Sequence, residues 1–188
     1  MDIVARARGL ITRPREEWGV IAGEPSSTAE LFKGYVVPMS AIPAVAGFVG
    51  LAVFARMFAA VLPGFSVGAL LVQSLLTYLL GLLWVWVFGK VVRALAPRFG
   101  GTGEEGPAMK LAAYSPTGSW LAGAFTLVPS LAVLALLGPY SLYILYAGVS
   151  VVARVPRERA LAFTLALIVC GVAVYVATGF ALSPLVAF

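Results

Sequence analysis

The sequence predicts an all-α polytopic membrane protein, a bundle of five transmembrane helices preceded by a cytoplasmic N-terminal amphipathic segment. Apolar residues make up 61% and charged residues 11% of its 188 residues, and the mean hydropathy is +0.99. An ordinary soluble domain has about 45–50% apolar and about 25% charged residues. Water cannot solvate the surface that this composition produces, and disorder requires the opposite composition. A soluble domain and a disordered chain are therefore both excluded.

Residues 1–34 form the first predicted unit, a helical segment on the cytoplasmic side. Its apolar residues Ile3, Val4, Ala7, Leu10 and Ile11 share one helical face. This pattern is typical of an amphipathic helix on an anionic membrane surface, and equally of an ordinary packing helix. A second short helix should follow, with Pro14 in its first turn.

Residues 35–188 form the second unit and contain five apolar runs that predict transmembrane helices. About 20 apolar residues are needed to cross the bilayer core. The predicted spans are 35–55, 65–89, 117–137, 139–153 and 160–182. Only Gly138-Pro139 separates the short fourth span from the third. Since proline breaks helices, a tight hairpin is favoured there over one long segment or a re-entrant hairpin.

The basic residues predict the orientation of these spans. With five spans and the N-terminus in the cytoplasm, twelve of the thirteen Lys and Arg residues lie inside and only Arg56 lies outside. Omitting the fourth span would place Arg154, Arg157 and Arg159 outside. The charge pattern thus favours five spans, with the C-terminus outside and anionic lipid headgroups as partners of the basic cytoplasmic face.

Several chemistries lack the residues that they need. The chain has no histidine, one cysteine and eight carboxylates. Histidine-based acid–base chemistry and most zinc and haem sites are therefore excluded. We expect no enzymatic activity, no metal, no cofactor and no nucleic-acid partner.

Two groups of residues inside the predicted spans are candidates for function. Pro38 and Pro43 lie in the first span, where they free backbone carbonyls and produce either a kink or a gate. Ser74, Thr77 and Tyr78 share one face of the second span, which indicates hydrogen bonding between helices or a polar pathway.

The order of several short runs resembles the Yip family, the Ypt/Rab-interacting multi-span membrane proteins. These runs are Trp18–Pro25, Glu30–Pro38, Ile42-Pro43, Gly47–Gly50, Lys110–Pro116, Tyr140–Gly148 and Val155–Thr164. They contain the further candidate functional residues Glu30, Tyr35, Tyr114, Ser115 and Pro116. The resemblance covers nearly the whole chain.

The resemblance implies a five-helix membrane protein without enzymatic activity. Eukaryotic members bind Rab GTPases and carry a long cytoplasmic region before the first span, which this chain lacks. It is more similar to short prokaryotic members, so Rab binding is not carried over and an inner (plasma) membrane location is expected.

Two functions remain open at this stage. The first is a non-enzymatic membrane organiser or adaptor that contacts lipids, a membrane-protein partner or a second copy of itself through its cytoplasmic face. The second is a small transporter, channel or lipid pathway that uses a polar cavity between helices 1, 2 and 3. Pro38, Pro43, the Ser74 face and the Tyr114-Ser115-Pro116 break motivate the second.

Overall fold

The computed structural model describes residues 2–57 and 66–186, and within these ranges the chain is helical without any strand. The predicted all-α membrane class is confirmed. Four helices in the described ranges are long and apolar enough to cross a membrane, and they are Thr28–Met57, Val67–Phe99, Ser130–Val152 and Arg157–Ala177. Phe65, the predicted start of the second span, lies outside the described residues.

Helices α1 (Ile3–Thr12) and α2 (Pro14–Gly23) form an N-terminal layer that packs against the bundle. The Asp2 carboxylate caps α1, and Pro14 begins α2, as its fixed φ and missing N–H favour. The buried side of α1 consists of Arg6, Ala7 and Leu10, whereas Val4 is exposed. Ile3 and Ile11 are partly buried and pack against the core, so in this structure α1 is a packing helix whose buried face is the predicted one except that Arg6 replaces Val4.

The first spanning helix has three sections, namely α3 (Thr28–Leu31), a π-helical turn (Phe32–Val36) and α4 (Val37–Met57). A capping box of Ser27 and Glu30 lies at its start, with both reciprocal hydrogen bonds present. Pro38 is the second residue after the π turn. A proline has no N–H for the α-helical ladder, and a wider turn accommodates that gap.

The second spanning helix, α5 (Val67–Leu95), ends in a 3-10 turn (Ala96–Phe99). Gly100 then takes a positive φ of 82°, which reverses the chain at low steric cost. Helix α6 (Glu105–Tyr114) packs back along α5, and Met109 occupies the space beside Gly89.

The next two segments form a hairpin whose reversal lies at Val128. The ascending limb contains α6, α7 (Thr117–Gly123) and a 3-10 turn (Ala124–Leu127), and the descending limb contains a 3-10 helix (Pro129–Leu137) and α8 (Tyr140–Val152). Val128 between them is extended, with φ −115° and ψ 109°.

The contacts between the two limbs pair residues that lie at similar distances along the chain before and after Val128. The Ser119 hydroxyl donates to the Gly138 carbonyl, Leu111 meets Gly148, and the Thr102 N–H donates to the Ala153 carbonyl. The reversal therefore lies about ten residues before Gly138-Pro139, where a tight hairpin was predicted. The third predicted span, 117–137, contains the reversal itself, and the fourth begins near Ser130 rather than Pro139.

Helix α9 (Arg157–Val186) is the last spanning helix. It follows a turn in which Arg154 takes a φ of 55°, the left-handed conformation common after a helix end. A Cβ added at Gly100 would lie 3.4 Å from Pro156, so the loops after α5 and before α9 are in contact. The α1–α2 layer packs along α8 from Tyr140 to Gly148 and bonds to Lys110 of α6, so its basic residues lie on the half of the bundle that ends at these two loops, called here the basic end.

Candidate functional site

A buried ion-pair cluster lies where the N-terminal layer meets the bundle. The Arg6 side chain is only 7% exposed, and its Nη1 donates to Glu17 at 2.6 Å while its Nη2 donates to Glu24 at 2.5 Å. Burial alone would lower the pKa of Arg6, but the hydrogen bond and charge of Glu24, with the charge of Glu17, outweigh it and raise that pKa. The guanidinium carbon lies 5.8 Å from the centre of the Tyr114 ring. Arg6 thus joins α1, α2 and α6.

Trp18 anchors α2 to the hairpin. Its side chain is completely buried, and the indole N–H donates to the Ile144 carbonyl at 2.9 Å. A Cβ at Gly148 would lie 2.5 Å from an indole carbon, so only glycine lets α8 approach the ring so closely.

Lys110 holds the end of α2. Its ammonium donates to the Ile21 carbonyl at 2.8 Å and also to the Glu24 carbonyl. The last carbonyls of a helix lack intrahelical donors and carry partial negative charge. The buried lysine therefore caps α2 from a neighbouring helix.

Tyr35 and Tyr114, both candidate residues from the sequence, pack directly against each other. Their ring centres are 4.6 Å apart, and Trp120 lies 6.4 Å from Tyr35 on another side. The Tyr35 hydroxyl is 2.8 Å from the Thr117 hydroxyl, which itself donates to the Tyr114 carbonyl at 2.6 Å. Tyr35 is therefore the donor to Thr117. The Tyr35 hydroxyl therefore has its hydrogen-bond partner inside the bundle.

Ser115 and Pro116 form the break between α6 and α7. The buried Ser115 hydroxyl donates to the Leu111 carbonyl at 2.6 Å, while Pro116 precedes the first residue of α7. These residues turn the chain so that Thr117 reaches Tyr35.

The other candidate residues occupy separate places. Pro43 packs against Gly123 of α7, and Tyr78 donates to the Val37 carbonyl at 3.0 Å, just before Pro38. Ser74 is half-buried and Thr77 is exposed. Tyr78 is thus the member of the predicted polar face that the structure brings to the first spanning helix.

A cleft of about 900 Å³ opens beside Arg6, between the α1–α2 layer and the start of the first spanning helix. Glu30, the remaining candidate residue, lies in its wall, and Tyr114 also lines it. Acidic and basic side chains share the lining, which comprises Asp2, Ala5, Arg6, Glu17, Val20, Glu24, Pro25, Ser26, Glu30, Leu31, Lys33, Gly34 and Tyr114. Across residues 2–57 and 66–186, no group of three or more Cys, Asp or Glu residues is placed to hold a metal ion.

Arg6, Lys110 and Thr117 were not among the candidates drawn from the sequence. Lys110 carries a usable signal, because it is a lone charge in the otherwise uncharged stretch Ala108–Tyr114. The sequence gives no such signal for Arg6, because the apolar pattern of α1 places this residue off the face expected to be buried.

Comparison with known proteins finds one matching family model and two similar bacterial membrane proteins. The Yip1 domain model matches residues 8–179. The chain is 28% identical over 171 residues to the protein described as inner membrane protein YohC in Escherichia coli strain K12, and equally to its counterpart in strain O6:H1. Each alignment covers 88% of this chain and 88% of the relative. No solved structure gives a significant match.

Proposed function

This chain belongs to the Yip1 domain family of membrane proteins, and from that membership we propose that it is a non-enzymatic organiser or adaptor of an inner membrane. In this proposal its basic end faces the cytoplasm and contacts anionic lipid headgroups, with a membrane-protein partner or a second copy as a further ligand. The Escherichia coli relative, an inner membrane protein, supports the inner-membrane location. The predicted excess of basic residues on one side supports the orientation.

The observation that carries the proposal is a set of exposed cations on one half of the bundle. In the described part of the chain, seven of these side chains are exposed and make no ion pair: Arg8, Arg15, Lys33, Arg98, Arg154, Arg157 and Arg159. Each basic residue near an anionic membrane surface contributes about 1 kcal/mol to attraction. Arg56, at the far end of α4, is exposed at the opposite end of the bundle.

Polar groups inside the bundle favour an organiser over a transport route. The hydroxyls of Ser40, Ser115 and Thr164 donate to carbonyls of their own helices, and Tyr35 donates to Thr117. Groups satisfied in this way stabilise packing and do not present a hydrated path.

A small transporter, channel or lipid pathway is the second candidate function. The π turn before Pro38 and the 3-10 helix Pro129–Leu137 support it, because such departures from the α-helix recur where membrane helices move. A flux assay in liposomes that stays at background would remove this candidate.

The organiser proposal is tested by lipid selectivity in nanodiscs. We expect enrichment of phosphatidylglycerol over phosphatidylcholine around the wild-type protein, measured by native mass spectrometry of the lipids that are retained. Replacing Arg154, Arg157 and Arg159 by Gln should reduce this enrichment by about fivefold per charge at low salt. Arg56→Gln is the control at the other end of the bundle and should reduce it by no more than the share of one charge, because both leaflets of the nanodisc contain the anionic lipid. Equal loss in both variants, or no enrichment in the wild type, would contradict the proposal.

A further inference from the structure

Half of the carboxylates in the chain line the cleft beside Arg6. The sequence has eight Asp and Glu residues and a net charge of +5, yet Asp2, Glu17, Glu24 and Glu30 all belong to this lining. Only two cations, Arg6 and Lys33, accompany them. The cleft therefore has an excess of negative charge on a basic protein, which favours a ligand with a positive group.

Arg6, in contrast, favours a ligand that also carries a negative group. Its two terminal nitrogens pair with Glu17 and Glu24, but its Nε–H is hidden from solvent and lacks a hydrogen-bond partner among the described residues. A buried donor without an acceptor is costly, and an arginine side edge with two N–H groups binds phosphate in a bidentate manner. Glu24 uses only the Nη2 atom of that edge.

We propose that the cleft binds a zwitterionic group that carries both a phosphate and a primary ammonium, the chemistry of a phosphoethanolamine headgroup. The phosphate replaces Glu24 on the Nε and Nη2 atoms of Arg6. Glu24, released from Arg6, accepts the ammonium. Its side chain is 44% exposed, so it leaves the arginine without opening the protein core. The exchange leaves no charge of either molecule unpaired.

The position of the cleft favours a lipid as the source of this headgroup. Leu31 and Gly34 in its wall belong to the start of the first spanning helix, where headgroups meet the protein. Its volume of about 900 Å³ is sufficient for a headgroup of this kind. Soluble phosphoethanolamine has the same chemistry and is the other source. The inference does not depend on the proposed function, because the arginines after α8 take no part in it.

The test compares three phospholipids with the full protein in nanodiscs. Phosphatidylcholine has the same phosphate but a quaternary ammonium without N–H donors, and phosphatidylglycerol has the phosphate without an ammonium. Native mass spectrometry should show one phosphatidylethanolamine retained per chain, with about tenfold preference over each of the others. Equal retention of phosphatidylglycerol and phosphatidylethanolamine would overturn the proposal, even if the basic end of the bundle enriches anionic lipid.

Two variants locate the site. Glu24→Gln should reduce retention of phosphatidylethanolamine to the level of phosphatidylcholine, because the ammonium loses its charged acceptor. Glu16→Gln changes a 74% exposed residue of the same helix outside the cleft and should retain the lipid as the wild type does. Unchanged retention in Glu24→Gln would overturn the proposal. Displacement by soluble phosphoethanolamine would show that the headgroup alone suffices, and persistence would show that the intact lipid is bound; both results support a zwitterion site.

Discussion

The indole N–H of Trp18 donates to the Ile144 carbonyl at 2.9 Å, and this bond ties the N-terminal layer to the descending limb of the hairpin. Both groups are buried, so water cannot replace either partner. A hydrogen bond between residues 126 positions apart also fixes which side of α8 the layer covers. The layer is therefore part of the folded bundle rather than an appended tail.

Trp18→Phe should weaken this attachment while keeping an aromatic ring in place. The Ile144 carbonyl loses its indole donor, and we expect a loss of about 1–3 kcal/mol in the free energy of unfolding. Thermal unfolding in detergent measures it. Trp86→Phe, at a residue that is 45% exposed, is the control and should change stability much less. Equal effects of the two substitutions would contradict the role of the hydrogen bond.

The Tyr35–Thr117 pair should show measurable coupling. Tyr35→Phe and Thr117→Val each remove one hydroxyl from a buried pair, and the double variant removes both. We expect the double variant to be less destabilised than the two single losses together, with a coupling of about 1 kcal/mol. Strict additivity in a double-mutant cycle of unfolding free energies would show that the hydroxyls do not interact.

Much of the architecture follows from composition and charge. The apolar runs predicted most of the spanning helices from Tyr35 onward, because these depend on burial in lipid and not on detailed packing. The orientation that the basic loops indicate stays a prediction. The reversal at Val128 could not be predicted in this way. Gly138-Pro139 is the stronger turn signal in the sequence, but the descending limb continues through it because a 3-10 helix on one side and α8 on the other tolerate a proline at the junction.

The candidate site was predicted only in part. Tyr35 and Tyr114 do lie together, but their neighbours Arg6 and Lys110 depend on tertiary contacts. Arg6 becomes buried because Glu17 and Glu24 compensate its charge, and no periodic pattern records that pairing.

The pairing of Glu105 with Lys90 predicts a specific dependence on pH. The hydrogen bond and charge of Lys90, with the charge of Arg93, lower the pKa of Glu105 at the exposed start of α6. A carboxyl whose pKa is lower in the folded state stabilises the fold above its ordinary pKa of about 4.3, and loses that effect as the pH falls through the lowered value.

The wild type should therefore unfold at a higher temperature than Glu105→Gln at neutral pH, and the difference should shrink as the pH falls below about 4.3 and vanish once it lies below the lowered pKa of Glu105. Melting temperatures of both proteins between neutral and acid pH measure it. Glu158→Gln changes an exposed carboxyl in α9 with no ion pair in the described residues and serves as the control. A constant difference across this pH range would contradict the prediction.

Cysteine labelling can locate the reversal of the hairpin. In a Cys170→Ser background, which removes the single native cysteine, Val128→Cys should react with a membrane-impermeant thiol reagent from the side opposite to the basic end. Glu104→Cys should react from the basic end, because Glu104 is exposed in the loop before α6. Gly138→Cys should be protected from both sides, since it lies within the descending limb beside Ser119. Labelling of Gly138→Cys from the far side, with Val128→Cys protected, would instead place the reversal at Gly138-Pro139, with the descending limb beginning at Tyr140.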